Sequence, residues 1–91
     1  VYSMSGRLPP LDEFQRIAHN YDGILYIDDA HGTGVLGTNG RGTVADTLGS
    51  YENTLVVGSL SKAVSCLGGF VAGDRAAIDV LKLRSNSLIF G

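Results

Sequence analysis

Apolar and polar positions alternate with a helical period in the stretch that follows the Pro9-Pro10 pair. Apolar side chains recur at positions 11, 14, 17 and 21, and the positions between them are mostly polar or charged. Asp12 and Glu13 stand in the first turn, where acidic side chains interact favourably with the positive end of the helix dipole. The pattern predicts an amphipathic helix that ends at the turn sequence NYDG, residues 20–23.

Four shorter stretches have the composition of β-strands. They are VYSMSG at 1–6, ILYI at 24–27, TLVVGS at 54–59 and GFVAG at 69–73. Because ILYI is apolar at every position, we expect that strand to be covered on both faces, as strands of parallel sheets are. The order strand, helix, strand at the start of the chain predicts a βαβ unit with two parallel strands.

The lengths of the connections complete the predicted topology. The connection from TLVVGS to GFVAG is too short for a parallel crossover, so the last strand should run antiparallel to its predecessor. The glycine-rich segment 31–53 is predicted to be a loop with at most a short helix. Asp74 is predicted to cap a helix that ends near Leu83, and LIFG at 88–91 to begin another extended segment. We therefore expect an α/β fold, a mainly parallel sheet with one antiparallel strand, cut inside the sheet at both ends.

Length and composition exclude several classes of protein. The 91 residues suffice for one domain at most, with a modest core. Seven Lys and Arg stand against nine Asp and Glu, a net charge of -2 without a run of either sign, so we expect no nucleic-acid partner. One cysteine excludes an internal disulfide framework, and no apolar run is long enough for a transmembrane segment. A cytoplasmic protein is the resulting expectation.

Polar side chains follow the apolar strand ILYI directly. Asp28, Asp29 and His31 stand where that strand should meet the ligand-binding edge of an open α/β sheet. Two other interpretations remain open: a turn capped by Asp29 beside a loop histidine, or a metal site with carboxyl and imidazole ligands. The metal site is disfavoured because no further cluster of Cys, His or Glu supplies the remaining ligands.

Lys62 follows the next strand in the same way, within the sequence SLSKAVSCLGG at 59–69. Its neighbours are small or hydroxylated, which would let the backbone and a ligand approach each other closely. A lysine in a partly desolvated pocket has a larger neutral fraction, and the neutral amine forms a Schiff base with a carbonyl. One alternative is an exposed loop lysine. The other is the S-x-x-K pattern of penicillin-recognising serine enzymes, beginning at Ser59, although its partner motifs S-D-N and K-T-G are absent.

Four segments together resemble one family of enzymes. They are SMSG at 3–6, YIDDAHGTGVLG at 26–37, GRG at 40–42 and GSLSKAVSCLGGFVAG at 58–73. In this order and at this spacing they are similar to the fold-type I pyridoxal-phosphate enzymes. More narrowly, they resemble the α-oxoamine synthases, which join an acyl-CoA to an amino acid with loss of carbon dioxide. The segments span most of the chain.

The resemblance implies a role toward pyridoxal 5'-phosphate for each of five residues. Lys62 would hold the cofactor covalently and then act as acid and base at the α-carbon of the substrate. Asp28 would face the pyridine nitrogen and keep it protonated, which makes the ring a better electron sink. His31 would hydrogen-bond the phenolic oxygen of the ring, and Ser3 would lie close to the same edge. Ser59 would contact the phosphate.

The resemblance also implies what surrounds these residues. Residues 1–91 would be the central fragment of the large cofactor-binding domain of a homodimeric enzyme, without its N-terminal part and its small C-terminal domain. The substrates would be an amino acid and an acyl-CoA or other acyl thioester: alanine with a pimeloyl thioester, glycine with acetyl-CoA, or serine with a long-chain acyl-CoA. The sequence DDAHGTGVLG favours the first two pairs. An aminotransferase or another fold-type I enzyme, and a non-catalytic subunit of the same fold, remain as alternatives. Asp29 has no cofactor role in the family and is expected to be structural.

Overall fold

The amphipathic stretch after Pro10 forms helix α1, Leu11–Asn20, as its apolar period predicts. The computed structural model describes residues 1–86 of the chain. At the end of α1 the backbone turns away through Tyr21, and the Gly23 N–H donates to the Ala18 carbonyl at 2.7 Å. The helix therefore ends within the NYDG sequence, as predicted.

Three strands form one sheet, with the middle strand paired on both sides. The strands are β1 (Leu25–Asp28), β2 (Thr54–Ser59) and β3 (Gly69–Ala72). β1 runs parallel to β2, and β3 runs antiparallel to it. The short connection between β2 and β3 permits only the antiparallel arrangement. The predicted α/β class with one antiparallel strand is confirmed.

The connection from β1 to β2 is mostly loop, as the glycine-rich sequence predicts. It contains a 3-10 turn, Thr38–Gly40, and one short helix, α2, Thr43–Thr47. After β3, helix α3 spans Arg75–Arg84, and Asp74 occupies its N-cap position without a side-chain capping bond. The extended segment predicted at 88–91 lies outside the described residues.

The buried apolar side chains gather on one face of the sheet. Ile27 of β1 and Val56 of β2 are direct partners across the parallel pair and are both buried. They pack with Leu11 of α1, Val44 of α2 and Leu48, which follows α2. Burial of each such side chain stabilises the fold by roughly 1.5–3 kcal/mol. The cluster therefore holds α1 and α2 against the same face of the sheet.

The first predicted strand does not form, so the prediction of a βαβ unit at the start of the chain is wrong. The Tyr2 N–H donates to the Arg7 carbonyl at 3.0 Å, and the Gly6 N–H donates to the Tyr2 carbonyl at 2.8 Å. Gly6 has a φ of 68°, a conformation that glycine adopts without steric cost. Since these backbone groups bond locally, none of the three described strands pairs with the segment. The parallel pair is β1 with β2 instead.

β1 is covered on one face only, which corrects the expectation drawn from its apolar sequence. Ile27 is 7% exposed, whereas Tyr26 is 64% exposed. Both α1 and α2 pack on the Ile27 face of the sheet. Within residues 1–86, no element covers the face that carries Tyr26.

Candidate functional site

The carboxyl ends of β1 and β2 lie side by side at one edge of the sheet. Asp28 is the last residue of β1, and Ser59 is the last residue of β2. The strand pairing extends one residue further, where the Asp29 N–H donates to the Val57 carbonyl at 2.8 Å. The polar residues that follow both strands therefore emerge at the edge where α/β sheets bind ligands.

A cleft of about 370 Å³ opens at this edge. Its lining comes from the segments after β1 and β2 and from the turn at the start of the chain: Val1, Tyr2, Ser3, Pro9, Asp28, Ala30, His31 and Lys62. Four of the five predicted cofactor residues thus surround one cavity, and they are Ser3, Asp28, His31 and Lys62. The volume lies within the range of small-ligand sites, which begins at roughly 300 Å³.

The carboxyl, imidazole and amine groups of this cleft are held to different degrees. Oδ1 of Asp28 accepts a hydrogen bond from the Ala30 N–H at 3.0 Å, which restricts the orientation of the carboxyl group. The side chains of His31 and Lys62 are exposed and make no hydrogen bond or ion pair within the described range. Both are therefore available to a ligand.

The backbone around Lys62 is fixed by local hydrogen bonds between β2 and β3. The Leu60 N–H donates to the Gly68 carbonyl at 3.0 Å, and the Cys66 N–H donates to the Leu60 carbonyl at 2.8 Å. The Lys62 carbonyl accepts from the Ser65 N–H at 3.3 Å. Lys62 therefore lies on a turn whose backbone is held by hydrogen bonds.

Ser59 is the predicted cofactor residue that does not line the cleft. Its Oγ lies 2.7 Å from Oγ of Ser61 and accepts the Ser61 N–H at 3.2 Å. The hydroxyl is thus engaged in the turn that leads to Lys62. Its contact with a phosphate stays a prediction, and such a contact requires the hydroxyl to share or exchange this partner.

Asp29 is buried away from the cleft although its sequence neighbours on both sides line it. It is 1% exposed, and its carboxyl group accepts hydrogen bonds from the N–H and the hydroxyl of Thr43. Its partner therefore lies within the protein, in accordance with the structural role expected from the sequence.

Four residues of the cleft were not found by sequence reasoning. They are Val1, Tyr2, Pro9 and Ala30. The first three belong to, or flank, the turn that replaces the predicted first strand, and no motif marks them. Ala30 is detectable only as the neighbour of the Asp28-Asp29 pair, where its N–H orients Asp28.

Two glycines beside the Lys62 turn are required by packing within the sheet. A Cβ on Gly58 would lie 2.3 Å from the ring of Phe70, and a Cβ on Gly69 would lie 2.7 Å from the Gly58 carbonyl oxygen. Packing within the sheet is therefore sufficient to require glycine at these two positions, and close approach of a ligand to them stays a prediction.

The described part of the chain supports neither a metal site nor a membrane-spanning helix. Among residues 1–86, no three His, Cys, Asp or Glu side chains are grouped so as to hold a metal ion. No described helix combines the length and apolarity that a membrane span needs.

The donor groups around the cleft fit pyridoxal phosphate. The Lys62 amine is the group that bonds covalently to an aldehyde carbon. The Asp28 carboxyl suits a pyridine nitrogen, and the His31 imidazole suits a phenolic oxygen. All three line the same cleft.

The chain is similar in sequence to known proteins. Residues 1–90 match the family described as aminotransferase class I and II. The 8-amino-7-oxononanoate synthase of Bacillus pumilus is 48% identical over 90 residues, which cover 99% of this chain and 23% of that protein.

Two solved structures share the fold of this chain. Serine palmitoyltransferase with pyridoxal phosphate as its internal aldimine matches with a TM-score of 0.83 and 35% identity, over 100% of this chain and 23% of that one. The 8-amino-7-oxononanoate synthase of Francisella tularensis matches with a TM-score of 0.83 and 33% identity, over 99% of this chain and 26% of that one.

These matches confirm the predicted family and its cofactor. The chain spans 23% of the length of the curated relatives it matches. The matched segment includes the cleft and every motif on which the resemblance was based. The chain belongs to the class I and II aminotransferase family and, within it, to the α-oxoamine synthases.

Proposed function

We propose that the protein containing this chain is a pyridoxal-phosphate-dependent acyltransferase that condenses an amino acid with an acyl thioester and releases carbon dioxide. The observation that carries the proposal is the cleft at the sheet edge, which Lys62, Asp28 and His31 line together. These three residues come from segments that follow two different strands, so their meeting is a property of the fold.

Each of these side chains has a specific task in the proposed reaction. Pyridoxal phosphate, when bound, supplies an electron sink for the carbanion at the α-carbon of the amino acid. Lys62 would hold the cofactor covalently and would remove and return the proton at that carbon. Asp28, whose carboxyl group is kept in orientation by the Ala30 N–H, would pair with the pyridine nitrogen.

Three further residues would position the cofactor: His31, Ser3 and Ser59. His31 would donate to the phenolic oxygen, and Ser3, on the same cleft, would lie near the same edge of the ring. Ser59, whose hydroxyl contacts Ser61 in this structure, would contact the phosphate.

The proposed reaction balances as an acyl transfer to carbon. The α-carbon of the amino acid loses a proton and forms a bond to the acyl carbonyl carbon, while the carbon–sulfur bond breaks and the thiol leaves. The carboxyl group of the amino acid then departs as carbon dioxide, and a proton returns to the α-carbon. Alanine with a pimeloyl thioester is the pair we favour, because the 8-amino-7-oxononanoate synthases of Bacillus pumilus and Bacillus subtilis match 99% of this chain at 48% and 42% identity.

We also propose the place of this chain in the whole enzyme. Its relatives are much longer, and residues 1–91 correspond to 23% of their length. We place these residues in the centre of the large cofactor-binding domain of a cytoplasmic homodimer. In this proposal the residues that select the acyl chain lie mostly in other parts of the protein.

Reduction with borohydride tests the proposed function. The full-length protein is incubated with pyridoxal phosphate, reduced, digested and mapped by mass spectrometry. We expect the cofactor mass on Lys62 and not on Lys82, the other lysine of this chain, because Lys62 lines the cleft whereas Lys82 does not. The Lys62→Ala variant should lose the label, and its kcat should fall by at least about 100-fold, the usual loss when an acid–base group is removed.

Three results would contradict the proposal. A cofactor label on any residue other than Lys62 would show that Lys62 does not hold the cofactor, which is the central claim of the proposal. Transfer of the amino group to a 2-oxo acid, without thioester consumption or release of carbon dioxide, would identify an aminotransferase instead. A full-length protein that binds the cofactor but turns over neither substrate set would be a non-catalytic subunit.

A further inference from the structure

The buried carboxyl group of Asp29 joins two distant parts of the chain. Oδ2 accepts the Thr43 N–H at 2.8 Å, and Oδ1 accepts the Thr43 hydroxyl. The two residues are 1% and 2% exposed. A buried polar group needs such partners, because leaving it unpaired costs its full desolvation energy.

The backbone is packed tightly around this pair. A Cβ on Gly32 would lie 2.1 Å from Oδ1 of Asp29, and a Cβ on Gly42 would lie 2.3 Å from Oδ2. Gly42 has a φ of 97°, which only glycine adopts readily. The carboxyl group is therefore enclosed by the two ends of the glycine-rich loop, so the loop cannot shift without disturbing it.

The pair closes the loop that follows β1. Asp29 is bonded to β2 through its own N–H and the Val57 carbonyl, and Thr43 is the first residue of α2. Residues 30–42 thus start and end at one buried contact. Asp28, the last residue of β1, directly precedes Asp29, and His31 lies at the beginning of the closed loop; both line the cleft.

The same loop contacts the turn that carries Lys62. A Cβ on Gly34 would lie 2.8 Å from the Cβ of Ala63, the residue directly after Lys62. The Gly34 N–H donates to the Gly40 carbonyl at 2.9 Å, which holds this part of the loop together. A displacement of the loop would therefore be transmitted to both sides of the cleft.

We propose that Asp29 is a positioning residue of the cofactor site, acting through its buried hydrogen bonds with Thr43. It sets the loop 30–42 against β1 and against the Lys62 turn, and so sets the separation of the carboxyl, imidazole and amine groups around the cleft. This inference rests on the proposed function, because the cleft is the cofactor site only if that proposal holds.

The experiment compares two substitutions of Thr43 in the full-length protein. Thr43→Val keeps the shape of the side chain and the backbone N–H bond but removes the hydroxyl bond to Oδ1. Thr43→Ser keeps both bonds and is the matched control. The measurements are the dissociation constant of pyridoxal phosphate, the circular dichroism of the bound cofactor, the unfolding temperature without cofactor, and amide hydrogen exchange across residues 30–42.

We expect Thr43→Val to weaken cofactor binding by about tenfold, the effect of leaving one buried acceptor unpaired. It should also change the circular dichroism of the bound cofactor and speed amide exchange in residues 30–42 but not in β2. Thr43→Ser should restore all three properties to within about threefold of the unsubstituted protein, since both hydrogen bonds remain.

Other outcomes overturn the inference in distinguishable ways. If Thr43→Val lowers the unfolding temperature but leaves the cofactor affinity and circular dichroism unchanged, Asp29 is only structural. If exchange in residues 30–42 does not increase, the pair does not hold the loop, whether or not cofactor binds. Failure of the unsubstituted protein to carry cofactor on Lys62 would instead overturn the proposed function, and the exchange data would still decide whether the pair holds the loop.

Discussion

Single residues around the cleft are constrained mostly by their protein neighbours. Gly58 accommodates the Phe70 ring, and Gly69 accommodates the Gly58 carbonyl. Asp29 lies between two residues that line the cleft, yet its own carboxyl group is buried against Thr43. Identical residue types in one motif therefore face opposite environments, one the ligand cleft and the other the interior.

The buried pair should make Gly32 intolerant of a side chain. A Cβ at this position would lie 2.1 Å from Oδ1 of Asp29 and 2.3 Å from Oγ1 of Thr43, and both of these residues are buried. We expect Gly32→Ala to lower the free energy of unfolding of the full-length protein by about 2 kcal/mol or more. Urea denaturation measures this change.

Gly49→Ala is the matched control for this substitution. A Cβ on Gly49 would meet no atom within 4 Å among the described residues. Its effect should stay within about 0.5 kcal/mol. Equal stability of the two variants would mean that the carboxyl group of Asp29 is not held as tightly as its contacts suggest.

The elements show how far a periodic pattern determines packing. In β2 the residues alternate between buried and partly buried, in agreement with a strand packed on the helices through one face. In α1 the apolar period correctly predicted a helix, but its apolar residues are buried to different extents. Leu11 is 3% exposed, whereas Phe14 and Ile17 are 42% and 49% exposed. The stripe determines which face of a helix is apolar, whereas the neighbouring elements determine how much of that face is covered.

Leu11 should therefore be the main anchor of α1. It packs with Val44 and the sheet residues of the core cluster. Leu11→Ala should lower the free energy of unfolding of the full-length protein by about 3 kcal/mol, through lost burial and the cavity left behind. Leu11→Met, which keeps the volume, should cost less than about 1.5 kcal/mol. A loss below that value for Leu11→Ala, measured by the same denaturation, would show that α1 is held elsewhere.

At the scale of the whole molecule, the described part of the chain leaves much apolar surface uncovered. Seventeen large apolar side chains are exposed in residues 1–86, against five in the buried core. A further apolar groove of about 500 Å³ lies where Phe70 and Val71 of β3 face Ile78 and Leu81 of α3. A core of this size offers little stability against the conformational entropy of the chain.

The isolated chain of 91 residues should therefore be poorly stable and inactive. We expect it to bind an apolar dye, to unfold without a sharp transition, and to bind pyridoxal phosphate far more weakly than the full-length protein. Dye fluorescence, near-ultraviolet circular dichroism and a cofactor titration measure these properties. The full-length protein under the same conditions is the control, and comparable cofactor affinity in the two would contradict this expectation.

The sequence by itself determined the order of the elements after Pro10, the antiparallel direction of the last strand and the candidates for the site. Apolar period and connection length are properties of neighbouring residues, so they can be read along the chain. The polar residues after β1 and β2 were likewise identifiable, because parallel strands end at one edge of a sheet. The motifs then indicated the family, which the comparisons confirm.

Only the tertiary structure decided which of these side chains meet. It replaced the expected first strand by a turn, and that turn brings Tyr2 and Ser3 to the cleft. It engaged the hydroxyl of Ser59 with Ser61 and paired Asp29 with Thr43. Such contacts depend on how separate segments of the chain pack together. The local sequence around each partner does not specify this, because the course of the whole backbone determines whether the two partners come within hydrogen-bond distance.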